Sequence, residues 1–240
     1  MTRLWTLLVA LCAAGIVLAS PFFLASFRAL HLPIPPAAAL FLQALQIMVL
    51  CAVAAYGGVR FAPRAGLDAP WLRAVAERRD RPPGFGGVAI ESAAIGSVTA
   101  IAVTAVALMP RSPLTEMLLH PVGGFWAGAS GAFYGGIVEE TLLRWGLLTT
   151  IAALLQRAGL LNAFWTANVL TALAFGALHL PANAARMQLT IPVVLQTLLG
   201  NGVAGVVFGW IFRRRGLEGA MVAHGALDVW LQAALPALLA

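Results

Sequence analysis

Apolar runs of about twenty residues recur from one end of this chain to the other, and they restrict its fold more than any other feature. Crossing about 30 Å of hydrocarbon at about 1.5 Å per residue takes roughly twenty apolar residues in a helix. Seven stretches qualify, at about 4–27, 36–59, 87–109, 122–156, 161–179, 190–212 and 219–239. The expected fold is all-α, a polytopic transmembrane helical bundle of about seven spans, with no room for a sizeable soluble domain. Composition agrees: 10% of the residues are charged, where a soluble domain carries about a quarter.

Every one of the fifteen basic residues is Arg. A net charge of +6 could suit nucleic acid, but these arginines are spread over loops instead of lining one face, so no nucleic-acid partner is expected and the lipid bilayer is. If spans alternate, the N-terminus and the loops after spans two, four and six carry Arg3, Arg60, Arg64, Arg73, Arg78, Arg79, Arg81, Arg157 and Arg213 to Arg215. The opposite side carries Arg28, Arg111 and Arg186. The positive-inside rule then predicts a multi-pass cell-membrane protein with a cytoplasmic N-terminus and the C-terminus outside. The N-terminal run resembles a secretory signal, yet Pro21 directly after Ser20 and the continuing apolar residues favour a retained first helix. WLRAVAERR, inside the basic connector after span two, predicts a short interfacial helix. Cys12 and Cys51 lie in apolar spans without metal spacing and read as small packing residues. Gly124 and Gly128, Gly131 and Gly135, and Gly205 and Gly209 are each four apart, a pattern for close helix approach and not for chemistry.

Against this apolar background VEETLLRWG stands out, placing Glu139, Glu140 and Arg144 inside the fourth span. Each charge costs roughly 2.5–3.5 kcal/mol at the centre of a membrane helix, so all three should face the bundle interior or a wet cavity. Glu140 and Arg144 have the spacing and order of a favourable intrahelical pair. Glu139, rotated by about 100° on an α-helix, lacks a partner in its own helix and is a candidate general base toward water. His179 closes span five in FGALHLP. Glu139 lies twenty residues before Gly159 and His179 twenty after it, so an antiparallel hairpin turning there would place them at one depth. His224 and Asp228 share one helix face in the last span. Glu91, Asn168 and Asn201 carry less: Glu91 faces an interface or cavity wall, and the two asparagines read as interhelical hydrogen-bonders.

EETLLR at 139–144, FGALH at 175–179 and HGALD at 224–228, in this order on successive spans, resemble the EExxxR, FxxxH and HxxxN/D motifs of the CPBP family, the CAAX proteases and bacteriocin-processing intramembrane proteases also called type II CAAX prenyl endopeptidases or the Abi family. The resemblance covers a catalytic helical core at 120–232; the N-terminal transmembrane helices with their basic connector at 1–119 and the helix end at 233–240 lie outside it. It implies an intramembrane endopeptidase acting on a membrane-anchored or hydrophobic peptide or protein. Glu139 would activate water with His179, Glu140 and Arg144 would support Glu139, and His224 with residue 228 would stabilise the oxyanion. Position 228 is Asp where many members have Asn, and an ionised Asp cannot donate a hydrogen bond. Glu139, His179 and His224 would also suit Zn²⁺, but the HExxH signature is missing, which leaves both a metal-dependent and a metal-independent route open. Rival readings are a transporter whose charges line a proton or ion path and a non-proteolytic membrane scaffold. One geometric difficulty follows from straight helices: His224 enters from the opposite end and falls about 20 Å from His179, which predicts a tilted or broken sixth span, near Gly200-Asn201-Gly202, or projecting ends of spans four and five.

Overall fold

The computed structural model describes residues 2–109, 112–120 and 122–239, so Arg111 lies outside the described residues. It is an all-α bundle with no strand among the described residues. In chain order the helices are α1 (Thr2–Leu18), α2 (Ser20–Ala29), α3 (Pro36–Ala65), α4 (Pro70–Glu77), α5 (Phe85–Leu108), α6 (Pro113–Leu119), α7 (Gly124–Phe133), α8 (Thr149–Arg157), α9 (Ala163–Ala184), α10 (Ile191–Val229) and α11 (Leu235–Leu239). Helix boundaries follow local chemistry. Pro21 cannot donate a backbone hydrogen bond, and α1 and α2 meet at a 50° bend just before it. Prolines open α3, α4 and α6, where a missing N–H costs nothing. Ser112 caps α6 in a capping box with Thr115. α4 is the short helix predicted within the basic connector.

By length and apolarity four helical stretches among the described residues can cross a membrane, Pro36–Ala65, Phe85–Leu108, Ala163–Ala184 and Ile191–Leu238, and the bent α1–α2 pair makes a fifth. This count departs from seven at two places, and both shape the site. The stretch 124–157, which the sequence presents as span four, winds through α7, a π-helical segment at Tyr134–Glu139, a second at Thr141–Leu148, and α8. The longest stretch contains Gly216 at φ 79° and ψ 174°, which is not helical. Phe208 and His224, equally far from Gly216, stack with ring centroids 4.6 Å apart. Sixteen residues of straight helix would separate them by about 24 Å. The chain therefore doubles back at Gly216, and the two arms of α10 pack antiparallel. The break expected near Gly200-Asn201-Gly202 is absent, and Gly216 is where helical geometry is left.

Small residues bring the arms and their neighbours together. A Cβ at Gly209 would overlap Asn168 of α9, and one at Gly96 of α5 would overlap the Ala223 carbonyl. Gly58 of α3 gives way to the Trp145 indole, which is fully buried and donates to the Ala55 carbonyl at 3.3 Å. Asn168 donates across helices to the Val206 carbonyl at 3.0 Å, as expected. Asn201 instead donates to the Thr197 carbonyl within its own helix, four residues back, at 2.8 Å. Glu91 pairs with Arg215 at 2.5 Å. Cys12 and Cys51 are buried free thiols in one apolar cluster.

Candidate active site

Glu140 and Arg144 are buried to within 1% of completely, so their charges must be met by protein groups. Arg144 Nη1 lies 3.2 Å from Glu140 Oε1, and Nη2 donates to the Gly205 carbonyl at 3.1 Å. The guanidinium carbon stands 5.1 Å from the Phe175 ring centroid and 5.4 Å from that of Phe208, which gives the cation two π faces. Glu140 Oε1 also accepts from His224 Nδ1 at 2.7 Å. A carboxylate can only accept here, so Nδ1 carries the proton and the imidazole is pinned with Nε2 pointing away from Glu140.

Two further carboxylates flank that Nε2: Glu139 Oε2 at 3.6 Å and Asp228 Oδ2 at 3.8 Å. Glu139 is 20% exposed while Glu140 is at 0%, so the two adjacent acids divide into one that is accessible and one that is sealed. Asp228 Oδ1 accepts from Gln232 Nε2 at 3.1 Å. Gln232 continues the four-residue spacing of His224 and Asp228, a pattern visible in HGALDVWLQ that could have flagged it. Gly135 does more than the packing its sequence pattern implies: a Cβ there would overlap Asp228 Oδ2 and come within 2.9 Å of His224 Nε2. Its missing side chain is the space these two groups occupy. We expect Gly135→Ala to displace Asp228 and His224, costing about 1–3 kcal/mol of stability and at least about tenfold in cleavage rate. Denaturant unfolding and turnover measured on the same preparation check this.

His179 stands one aromatic ring away from the cluster. Its Nδ1 donates to the Phe175 carbonyl at 2.8 Å, and among the described residues it forms no ion pair with Glu139. Phe175, one turn earlier, is the residue at the depth of the cluster, with its ring 4.8 Å from His179 and 5.6 Å from His224. The chain from Tyr134 to Glu139 and from Thr141 to Leu148 is wound as π-helix, which closes i→i+5 bonds, so an α-helical count from Gly159 does not apply along it. Thr141 and Thr149 bond the carbonyls of Ile137 and Arg144 at 2.7 and 2.9 Å, satisfying backbone groups along this winding.

The same residues are poorly placed for metal ligation. No group of three His, Cys, Asp or Glu side chains among the described residues is arranged to hold a metal ion. The donor set does not fit a resident metal, and no step below runs through one.

The model of the family "Type II CAAX prenyl endopeptidase Rce1-like" matches residues 121–230. These helices are a CAAX-protease-family domain. The matched stretch contains Glu139, Glu140, Arg144, His179, His224 and Asp228. Neither a curated protein nor a solved structure matches the chain. A CAAX-protease domain belongs to a family of membrane endopeptidases acting on membrane-associated substrates, and the apolar helices around it make this a multi-pass membrane protein.

Proposed function

We propose that this CAAX-protease domain hydrolyses a peptide bond of a membrane-anchored or hydrophobic substrate, using a water activated by Glu139 and a carbonyl polarised by His224. The observation that carries the reading is the division of labour around one imidazole. Nδ1 is fixed on the sealed Glu140–Arg144 pair, and Nε2 faces the accessible Glu139. Glu139 takes a proton from water as the water oxygen bonds to the substrate carbonyl carbon. Negative charge then develops on the carbonyl oxygen and needs a donor. Because Nδ1 keeps its proton for Glu140, Nε2 can donate only when the ring is doubly protonated, and Glu139, Glu140 and Asp228 are placed to balance that imidazolium. Collapse of the tetrahedral intermediate breaks the C–N bond, and the proton held on Glu139 passes to the leaving amine. His179, with its Nδ1–H on the Phe175 carbonyl, keeps an Nε2 lone pair and is assigned a second place on the water.

Asp228 orients and charges His224 in this scheme and does not itself donate. Its carboxylate lies too far from Nε2 for a direct bond, at 3.8 Å, and is steadied by Gln232. The test is cleavage of a lipid-anchored fluorogenic peptide by the protein in liposomes, with products identified by mass spectrometry. His224→Ala is expected to lower turnover about 10²–10³-fold, the usual loss when an oxyanion donor is removed. Asp228→Asn keeps the shape and the bond to Gln232 and should stay within about tenfold of wild type. Full activity in His224→Ala removes the imidazole from the mechanism. An Asp228→Asn loss as deep as that of His224→Ala assigns the carboxylate charge an essential part.

A further inference from the structure

At the arginine-bearing end of the bundle, a cavity of about 610 Å³ opens between the start of α1, the end of α3 and α4. Arg3, Arg60 and Arg64 line it, and none has a carboxylate partner among the described residues. The remaining charges of the cavity are already matched: Arg73 is bound to Asp68 at 2.7 Å, and Glu77 to Arg79 at 2.7 Å. Three like charges are thus gathered around one hollow without compensation, an arrangement that favours an anion between them. The floor is apolar, formed by Leu4 and Val59.

The level of the cavity is set by α4. Trp71 on that helix donates to the Pro82 carbonyl at 2.9 Å and packs on Phe85, and Trp is characteristic of the membrane interface. The Leu72 N–H on Glu218 and the Leu217 N–H on the Asp68 carbonyl tie α4 to the turn at Gly216, so the cavity lies at an end of the membrane-crossing helices and not at their midplane. Below it, α3 exposes Val49, Val53 and Tyr56 along a face on which acyl chains can lie. We infer that this cavity is a binding site for an anionic glycerophospholipid, its phosphate held by Arg3, Arg60 and Arg64 and its chains running along α3. Basic pockets at the ends of transmembrane helices recognise lipid phosphates in this way. The inference is independent of the hydrolytic reading, since none of these arginines belongs to the cluster around His224.

The test is native mass spectrometry of the full chain in detergent, titrated with dioleoylphosphatidylglycerol, dioleoylphosphatidylcholine or inorganic phosphate. Phosphatidylglycerol should bind, phosphatidylcholine should bind at least about tenfold more weakly, and inorganic phosphate should not displace the bound lipid. About fivefold per interfacial arginine is the expected scale, so Arg60→Gln/Arg64→Gln should weaken phosphatidylglycerol about 25-fold and Arg3→Gln about fivefold. Arg81→Gln/Arg157→Gln removes the same charge from exposed positions outside the cavity and should change binding less than about twofold. Equal binding of both lipids, equal losses in the two double variants, or displacement by inorganic phosphate would each overturn the assignment. All of these side chains are exposed, and retained helicity by circular dichroism confirms that the variants fold.

Discussion

Glu139→Gln is expected to lower the rate of peptide cleavage about 10²–10⁴-fold, the range that a positioned general base supplies. Gln has nearly the shape of Glu but cannot accept the proton that water must lose. The loss should fall on kcat, with KM little changed, because proton transfer belongs to the transition state and not to substrate binding. Folding should be nearly untouched. Glu139 is partly exposed, and its nearest charged partner, His224 Nε2, stands at 3.6 Å, beyond a good hydrogen bond. The pairing of intact fold with absent turnover separates an enzyme from a scaffold, which would keep its partners whatever residue 139 is. Product counting by mass spectrometry and a denaturation curve on the same sample give the answer. Turnover within about threefold of wild type would remove Glu139 as the base.

Much of the fold is legible in the sequence because the constraint is simple. A backbone crossing hydrocarbon must be helical, and a run of apolar residues announces it. α3, α5 and α9 correspond to apolar stretches visible on first reading, and α4 to the amphipathic WLRAVAERR. The Glu140–Arg144 pair is legible for a similar reason, since side chains four apart on one helix have few other places to go. His224 and Asp228 are legible as a shared helix face, and their distance of 3.8 Å agrees with it.

Three features stay hidden because they depend on path and not on pattern. The π winding around Glu139 leaves the identity of its residues unremarkable, yet it departs from the α-helical count, and that count does not show the 3.6 Å approach of Glu139 to His224. The hairpin in α10 turns on a backbone conformation, φ 79° at Gly216, that glycine permits but does not announce. The part of Gly135 is invisible until Asp228 is seen in the space a Cβ would fill. Spacing within one helix is local arithmetic, whereas contact between helices depends on every turn and bend that lies between them.

Arg144→Met should have the largest effect on stability of any substitution in the cluster, about 3–5 kcal/mol, because it strands a buried carboxylate. Glu140 is at 0% exposure, and its Oε2 already lacks a hydrogen-bond partner among the described residues. Without the guanidinium, only His224 remains to answer that charge, and the Phe175 and Phe208 rings lose the cation between them. The companion Glu140→Met/Arg144→Met should recover most of the loss, since well-packed apolar residues can replace a buried ion pair at little cost. Activity should not return with stability. Replacing the Glu140 carboxylate with a thioether leaves the His224 Nδ1–H without its acceptor, so the imidazole is no longer held with Nε2 toward Glu139. Urea unfolding of both variants beside their cleavage rates therefore divides the pair's two duties: charge balance, which the double variant restores, and orientation of His224, which it cannot. An Arg144→Met protein as stable as wild type would mean that solvent reaches Glu140 and that the sealed half of the site is not sealed.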